Sequence, residues 1–224
     1  MALPGELVIV DDVPAAFAAR TVEAFRDRLA DTFSLALSGG DTARRCYERL
    51  AEERSAIDWW KVDVYWGDER CVPHDHEDSN YLLAREALLD RVGAANATHL
   101  MRCAEVDAYQ LRLGDLGQID LVHLGLGPDG HTASLFPESP ALAADPGRLV
   151  TLNHDPRGNN PYERMTLTLA GIARARLVVV TVSGEEKAEA LAAVAAGDDL
   201  PAARIAAQEV VWLVDEAAAA RLDR

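Results

Sequence analysis

Cysteine is scarce in this sequence. Cys46, Cys71 and Cys103 are the only three, and no CxxC spacing relates them. An odd count without paired spacing favours buried or half-buried free thiols in a reducing compartment over a disulfide or a metal site. Basic charge is also short, with 22 Lys and Arg against 37 Asp and Glu and a formal net charge of −15. That balance argues against nucleic acid or an anionic membrane as a partner. It leaves room for a small anion, which local cations and backbone N–H groups can hold inside an acidic protein. No apolar run approaches the roughly 18 residues of a membrane span. No N-terminal stretch has the basic, apolar and small-residue layout of a signal peptide, so a cytoplasmic location is expected. Internal repeats, low-complexity tracts and clear linkers are missing too.

What is present suits one folded domain over residues 1–224, since 49% of the 224 residues are hydrophobic. Short apolar runs alternate with stretches of helical spacing. Strands are predicted at Leu7–Val10, Phe33–Leu37, Val62–Trp66, Leu121–Leu124, Arg164–Thr168, Leu177–Val182 and Val210–Val214, with a weak one at His99–Met101; the stretch from Pro137 to Asn160 is Pro-, Gly- and Asn-rich apart from Leu149–Leu152. Helices are predicted over Val13–Leu29, after Thr42 to about Glu53, from Ser79-Asn80 to Leu89, over Glu105–Leu113 and Glu185–Ala195, and in a short Ala-rich segment at the end. Such alternation argues for an α/β fold whose mostly parallel sheet is covered on both faces.

The richest stretch is Asp120–Pro137, in which a buried-strand pattern runs into Gly125, Gly127 and Gly130 and then presents Asp129 and His131. Glycines admit left-handed angles and close approach of a ligand to the backbone. A histidine titrates near neutrality, which suits a general base. The other histidines, His123 among them, are expected in the core or on the surface. Gly125-x-Gly127-x-x-Gly130 has the letters of a dinucleotide fingerprint, but Pro137 and Pro140 deny it the long helix that fingerprint needs. Ser38-Gly39-Gly40-Asp41-Thr42, between a strand and a helix, reads equally as a phosphate-binding turn or as a plain turn capped by Asp41 or Thr42. Asp68, Glu69 and Arg70 follow a strand at Gly67, where ligands gather in parallel sheets. Arg164 and Lys187 each stand at a strand end or helix start, where a cation meets a bound anion. His74-x-His76 lies in an acidic loop without a third well-spaced ligand and reads as a solvated loop rather than a metal site.

Four separated motifs then agree with one family. Leu37-Ser38-Gly39-Gly40 with Thr42, Gly67-Asp68-Glu69-Arg70-x-Val72-Pro73 with Ser79-Asn80, Leu124-Gly125-x-Gly127-x-Asp129-Gly130-His131-x-Ala133-Ser134-Leu135-Phe136-Pro137, and Arg164–Thr168 with Gly184-x-x-Lys187 occur in that order along nearly the whole chain. Together they resemble the 6-phosphogluconolactonases, of the superfamily that includes glucosamine-6-phosphate deaminase. The third motif is specific alone; the first is not. The resemblance implies a three-layer α/β/α fold with a Rossmann-like sheet. It implies hydrolysis of 6-phosphoglucono-δ-lactone to 6-phosphogluconate, the second step of the oxidative pentose phosphate pathway, with no cofactor or metal. By analogy Ser38, Gly39, Gly40 and Thr42 hold the phosphate, and Arg164 and Lys187 neutralise it. Arg70 binds sugar or phosphate, His131 deprotonates the attacking water, and Asp129 and Asp68 orient the base or the sugar hydroxyls. The expected partner is the small sugar-phosphate lactone, bound by a monomer or weak homodimer. One departure stands at Asp41 and Ala43, where the family usually has Ser or Thr and then Pro. A carboxylate there suits a phosphate site only if it points away or caps the helix.

Two rivals make different demands. The related deaminases carry a Phe-Asn-Glu-Pro-like segment after Asp-Gly-His, and Ala133–Pro137 lacks that extra acid. A non-catalytic sugar-phosphate sensor on this fold is normally joined to a helix-turn-helix, and no basic DNA-reading segment is present.

Overall fold

A computed structural model describes residues 3–222. Its centre is a seven-stranded sheet in which every pairing is parallel. In chain order the strands are β1 (Glu6–Ile9), β2 (Phe33–Leu37), β3 (Val62–Trp66), the two-residue β5 (Ala97–Thr98), β6 (Ile119–Gly125), β9 (Ala175–Val182) and β10 (Glu209–Val214). Across the sheet the order is β1-β10-β9-β6-β2-β3-β5. A second, antiparallel sheet joins β4 (Asp68–Arg70), β8 (Arg164–Leu167) and β7 (Val150–Asn153).

The helices are α1 (Val13–Arg26), α2 (Asp41–Glu52), α3 (Asn80–Ala84), α4 (Asp90–Val92), α5 (Val106–Leu116), α6 (Leu169–Ile172) and α7 (Ala188–Ala196). Parallel neighbours need crossovers, and right-handed crossovers fix the faces. The chain moves one way along the sheet from β1 through β2 and β3 to β5, so α1, α2 and α3 lie on one face. It moves back through β6, β9 and β10, so α5 and α7 lie on the other. The result is a three-layer α/β/α arrangement. Residues 33–37 of β2 are all buried, as are most residues of β6 and β9. Strands covered on both faces read as continuous apolar runs for this reason.

Local signals explain the ends of several helices. Asp12 caps α1 by accepting from Ala15 N–H at 3.0 Å. Helix α1 stops at Arg26, short of the expected Leu29, and Leu29 is exposed. Ser79 caps α3, accepting from Leu82 N–H at 3.2 Å, at the helix start that Ser79-Asn80 predicts. The expected strand at His99–Met101 is replaced by β5 just upstream, and the Ala-rich terminal segment is only a 3₁₀ turn, Ala218–Arg221.

The cysteine expectation is corrected. Cys71 and Cys103 form a disulfide with Cα atoms 5.6 Å apart. It ties the segment after β4 to the start of the segment leading into α5. Only Cys46 is a free thiol, and it is buried. Burial pushes its pKa up to about 12, so it is an inert core residue.

The sheet order places the reversal of direction between β2 and β6. At such a switch point the loops leaving adjacent strands splay to opposite faces and leave a crevice at the carboxyl ends.

Candidate active site

A crevice of about 180 Å³ opens there. From β2 the glycine turn contributes Ser38, Gly39 and Gly40. From β6 come Gly125–Pro128 and His131, from the antiparallel sheet Asp68, Arg70 and Arg164, and from the turn after β9 Lys187. Five stretches far apart in sequence thus meet in one cleft.

The β6 turn is built to display His131. Gly127 N–H donates to His131 O at 2.8 Å, and Gly130 N–H to Gly127 O at 3.0 Å. Gly127 has no alternative residue: a Cβ there would fall 2.1 Å from His131 Nδ1. Asp129 Oδ1 accepts the His131 backbone N–H at 3.2 Å and sits 2.5 Å from ring Nδ1. A carboxylate on Nδ1 fixes that nitrogen as N–H and leaves Nε2 as the acceptor. Among the described residues Nε2 has no partner. Burial pushes the Asp129 pKa up, but the hydrogen bond and charge of His131 win and hold it below the usual carboxylate value. The ring of Phe136 packs against His131 at 5.1 Å. Two residues past His131, Ala133 lines the cleft with φ +47°, a left-handed angle costly for alanine.

Asp68 lines the cleft but makes no contact with the base. It is buried, its Oδ2 accepts from Ser134 Oγ at 2.5 Å, and its Oδ1 lies 3.3 Å from Asn80 Nδ2. No hydrogen bond joins it to His131, so Asp129 alone orients the ring. The Ser134 contact ties the His131 turn to β4. Glu69 is structural: it accepts from the N–H groups of Arg70, Asn80 and Tyr81 and from Ser79 Oγ, holding the start of α3. Burial raises its pKa against those hydrogen bonds.

Three cations face the cleft without a carboxylate within 4.0 Å among the described residues: Arg70, Arg164 and Lys187. Arg164 is only 6% exposed and donates to Pro161 O at 3.2 and 3.1 Å. Burial lowers its pKa, with the Asp68 charge opposing. Arg70 Nη1 donates to Asp78 O, while its Nε is buried without a partner. Among the described residues the Lys187 side chain makes no hydrogen bond or ion pair; its backbone N–H donates to Gly184 O at 3.1 Å. The turn that presents it is anchored by Asp215, which accepts from Ser183 Oγ and Gly184 N–H. Arg164 is buried and Arg70 and Lys187 are half-buried; cations withdrawn from water are normally paired, so three unpaired ones around one cleft leave a place for an anion.

Thr42 lines, with Asp41, an adjoining recess that shares Gly39, Gly40 and Lys187 with the cleft that holds His131. Asp41 is exposed and caps nothing; the N-cap of α2 is Gly40, at φ +95° and without a side-chain cap. His74 and His76 each have a hydrogen-bond partner, Met101 O and Asp78 N–H. Among the described residues no group of three or more His, Cys, Asp or Glu is placed to hold a metal, and no helix is long and apolar enough to cross a membrane. Asn80, Phe136 and Asn160 also line the cleft and carry no role in the motif reading. Asn80 and Phe136 stand in the second and third motifs, Asn80 beside the Ser79 cap, whereas Asn160 had no signal.

The sequence profile described as "Glucosamine-6-phosphate isomerases/6-phosphogluconolactonase" matches residues 9–212. A 6-phosphogluconolactonase of Synechocystis sp. is 38% identical, over 96% of this chain and 94% of its own. One from Nostoc sp. is 41% identical, over 85% of each chain. Among solved structures, the 6-phosphogluconolactonase of Leishmania guyanensis superposes with a TM-score of 0.82 at 30% identity, covering 96% of this chain and 97% of that one. With the profile matched over most of its length and lactonases alike over nearly all of it, the chain belongs to the glucosamine-6-phosphate isomerase/6-phosphogluconolactonase family, where it stands with the lactone hydrolases.

Proposed function

We propose that the chain hydrolyses 6-phospho-D-glucono-1,5-lactone to 6-phospho-D-gluconate, with His131 as the general base. The observation that carries this reading is the hydrogen-bonded Asp129–His131 pair, with Nε2 free, beside three unpaired cations in one cleft. The substrate phosphate is held by Arg164, Lys187 and the Ser38–Gly40 turn, with Arg70 at its edge. Thr42 contributes from the neighbouring recess. His131 Nε2 takes a proton from water as the water oxygen bonds to the lactone carbonyl carbon. Asp129 stabilises the imidazolium through Nδ1–H. Within the turn, the Gly127, Gly130 and His131 N–H groups are already used, the Asp129 N–H is turned to its own carboxylate and Pro128 has none. The Leu126 N–H, without a partner among the described residues, is therefore the oxyanion donor. Collapse of the tetrahedral intermediate breaks the bond to the ring oxygen, which takes the proton back from His131. A lactone is an activated ester, so a positioned base suffices and no covalent nucleophile is needed. One continuous hydrophobic core supports reading residues 1–224 as a single domain, acting in the cytoplasm as a monomer or weak homodimer.

The test is lactone loss, with substrate generated in situ and corrected for spontaneous hydrolysis. His131→Ala is expected to lower kcat by about 10²–10⁴-fold while 6-phosphogluconate still binds. Equal rates for variant and wild type, both above background, would remove His131 from its role. Binding without any wild-type turnover would mark a sensor.

A further inference from the structure

The cleft joins two segments whose relative position matters: the glycine turn after β2 and the acidic strand β4. One side chain touches both. Asn80, the first residue of α3, is 1% exposed and lines the cleft. Its Nδ2 donates to Asp68 O at 2.8 Å and lies 3.3 Å from Asp68 Oδ1. Two acceptors on that side fix the amide's orientation, because the flipped group would set oxygen against oxygen. Oδ1 therefore faces the other way, buried and without a conventional hydrogen-bond partner. Gly39 lies against it: a Cβ there would fall 1.9 Å from Oδ1 and 2.5 Å from Cγ. Only a glycine Cα–H fits, as a weak C–H···O contact. Gly39 does not have a positive φ, so its backbone alone would accept alanine. The demand for glycine comes from Asn80.

We propose that Asn80 is a positioning residue whose amide sets the spacing between the anion-binding turn at Gly39 and the carboxylate of Asp68. This rests on reading the cleft as a lactonase site and deepens it. Asp68, held by Asn80 on one side and Ser134 on the other, thereby ties the β2 turn to the turn carrying His131. The grip on the phosphate and the base at the carbonyl then keep one fixed separation, which a near-attack geometry requires.

The experiment is a double-mutant cycle on kcat/KM for the lactone: Gly39→Ala, Asn80→Ala and the pair. Each single change is expected to cost about tenfold, chiefly in KM. The double variant should be no worse than Asn80→Ala alone, because the three atoms nearest a methyl group at position 39 all belong to the Asn80 side chain. Losses that multiply in the double variant overturn the proposal, as do singles that match wild type. Should wild type not accelerate lactone loss, the reading of the site fails instead. The same cycle is then read on 6-phosphogluconate affinity, by the same criteria. Should an alanine variant not fold, Asn80→Asp replaces it. Its new carboxylate faces Asp68 and repels it, with Glu69 on the neighbouring backbone N–H in both proteins. Protonation restores a donor toward Asp68. The variant's Kd for 6-phosphogluconate, relative to wild type, should be raised about tenfold at about pH 8 and converge on wild type near pH 5. A ratio flat across that range is what a merely structural role gives, and it overturns the proposal.

Discussion

The body of strand β6 and the turn that follows it each carry a histidine, and the two are held in opposite ways. His123 is fully buried, with Nδ1 2.9 Å from Tyr47 Oη, Nε2 2.9 Å from Thr181 Oγ1 and Phe17 against its face. Both nitrogens are occupied by neutral partners and no carboxylate is near, so burial pulls its pKa down to about 3 and it stays uncharged. His131 has a carboxylate on one nitrogen, no partner on the other among the described residues, and a cleft in front of it. The same side chain is a core polar group in one place and equipped as a base in the other. The difference lies in the partner's charge and in one unoccupied nitrogen, not in the residue.

The sharpest way to break that contrast is to give His131 a neutral partner like those of His123. Asp129→Asn keeps the shape and removes the charge. The amide can present N–H to Nδ1 and so favour the tautomer whose lone pair points away from the cleft. We expect kcat to fall about 10²-fold with little change in thermal stability. A kcat within a few-fold of wild type would show that the carboxylate is not what distinguishes the two histidines.

How much of this was legible before the structure depends on range. The parallel strands were plain as apolar runs because residues such as Leu35 and Val179 are buried on both faces and need no alternation. His131 and Asp129 were legible because two residues of separation on a glycine turn leave them little choice but to meet. The small antiparallel sheet was not legible as a separate sheet, since β4 is only three polar residues, Asp68–Arg70. Its partners arrive from β7 and β8 through long-range pairing. Nor was the disulfide, whose cysteines are 32 residues apart and are brought together only by how the post-β4 loop folds back. Local sequence carries no record of that approach. The recess that Thr42 lines was not legible for a related reason: a turn motif fixes which N–H groups are free, but not on which side of the turn the next hydroxyl falls.

A second way to sharpen the contrast is acid. An unfolded histidine titrates near 6.5, whereas folded His123 does so near 3. Below about pH 6.5 the unfolded chain binds a proton that the folded one refuses, so stability is whole above that pH and drains away as pH falls toward 3. At pH 5 the loss amounts to about 2 kcal/mol from this one residue. His123→Leu, similar in volume and apolar, removes that proton. Urea unfolding followed by tryptophan fluorescence should show the stability gap between pH 7 and pH 5 shrinking by about 2 kcal/mol relative to wild type. An unchanged gap would mean that folded His123 takes up a proton as readily as the unfolded chain.

The smallest expected effect is also the most discriminating. In His123→Leu, Tyr47 still clamps the peptide of Ser38, accepting from its N–H at 2.6 Å and donating to its carbonyl oxygen at 3.1 Å. The β2 turn that holds the anion therefore keeps its anchor, and the strand pairing of β6 with β9 does not depend on the imidazole. We expect kcat/KM for the lactone at neutral pH to stay within about threefold of wild type, since a change away from the reacting groups that conserves volume alters packing by little. A drop comparable to that of Asp129→Asn would instead join the buried Tyr47–His123–Thr181 chain to the site through Ser38. The two histidines would then differ in distance from the substrate rather than in kind.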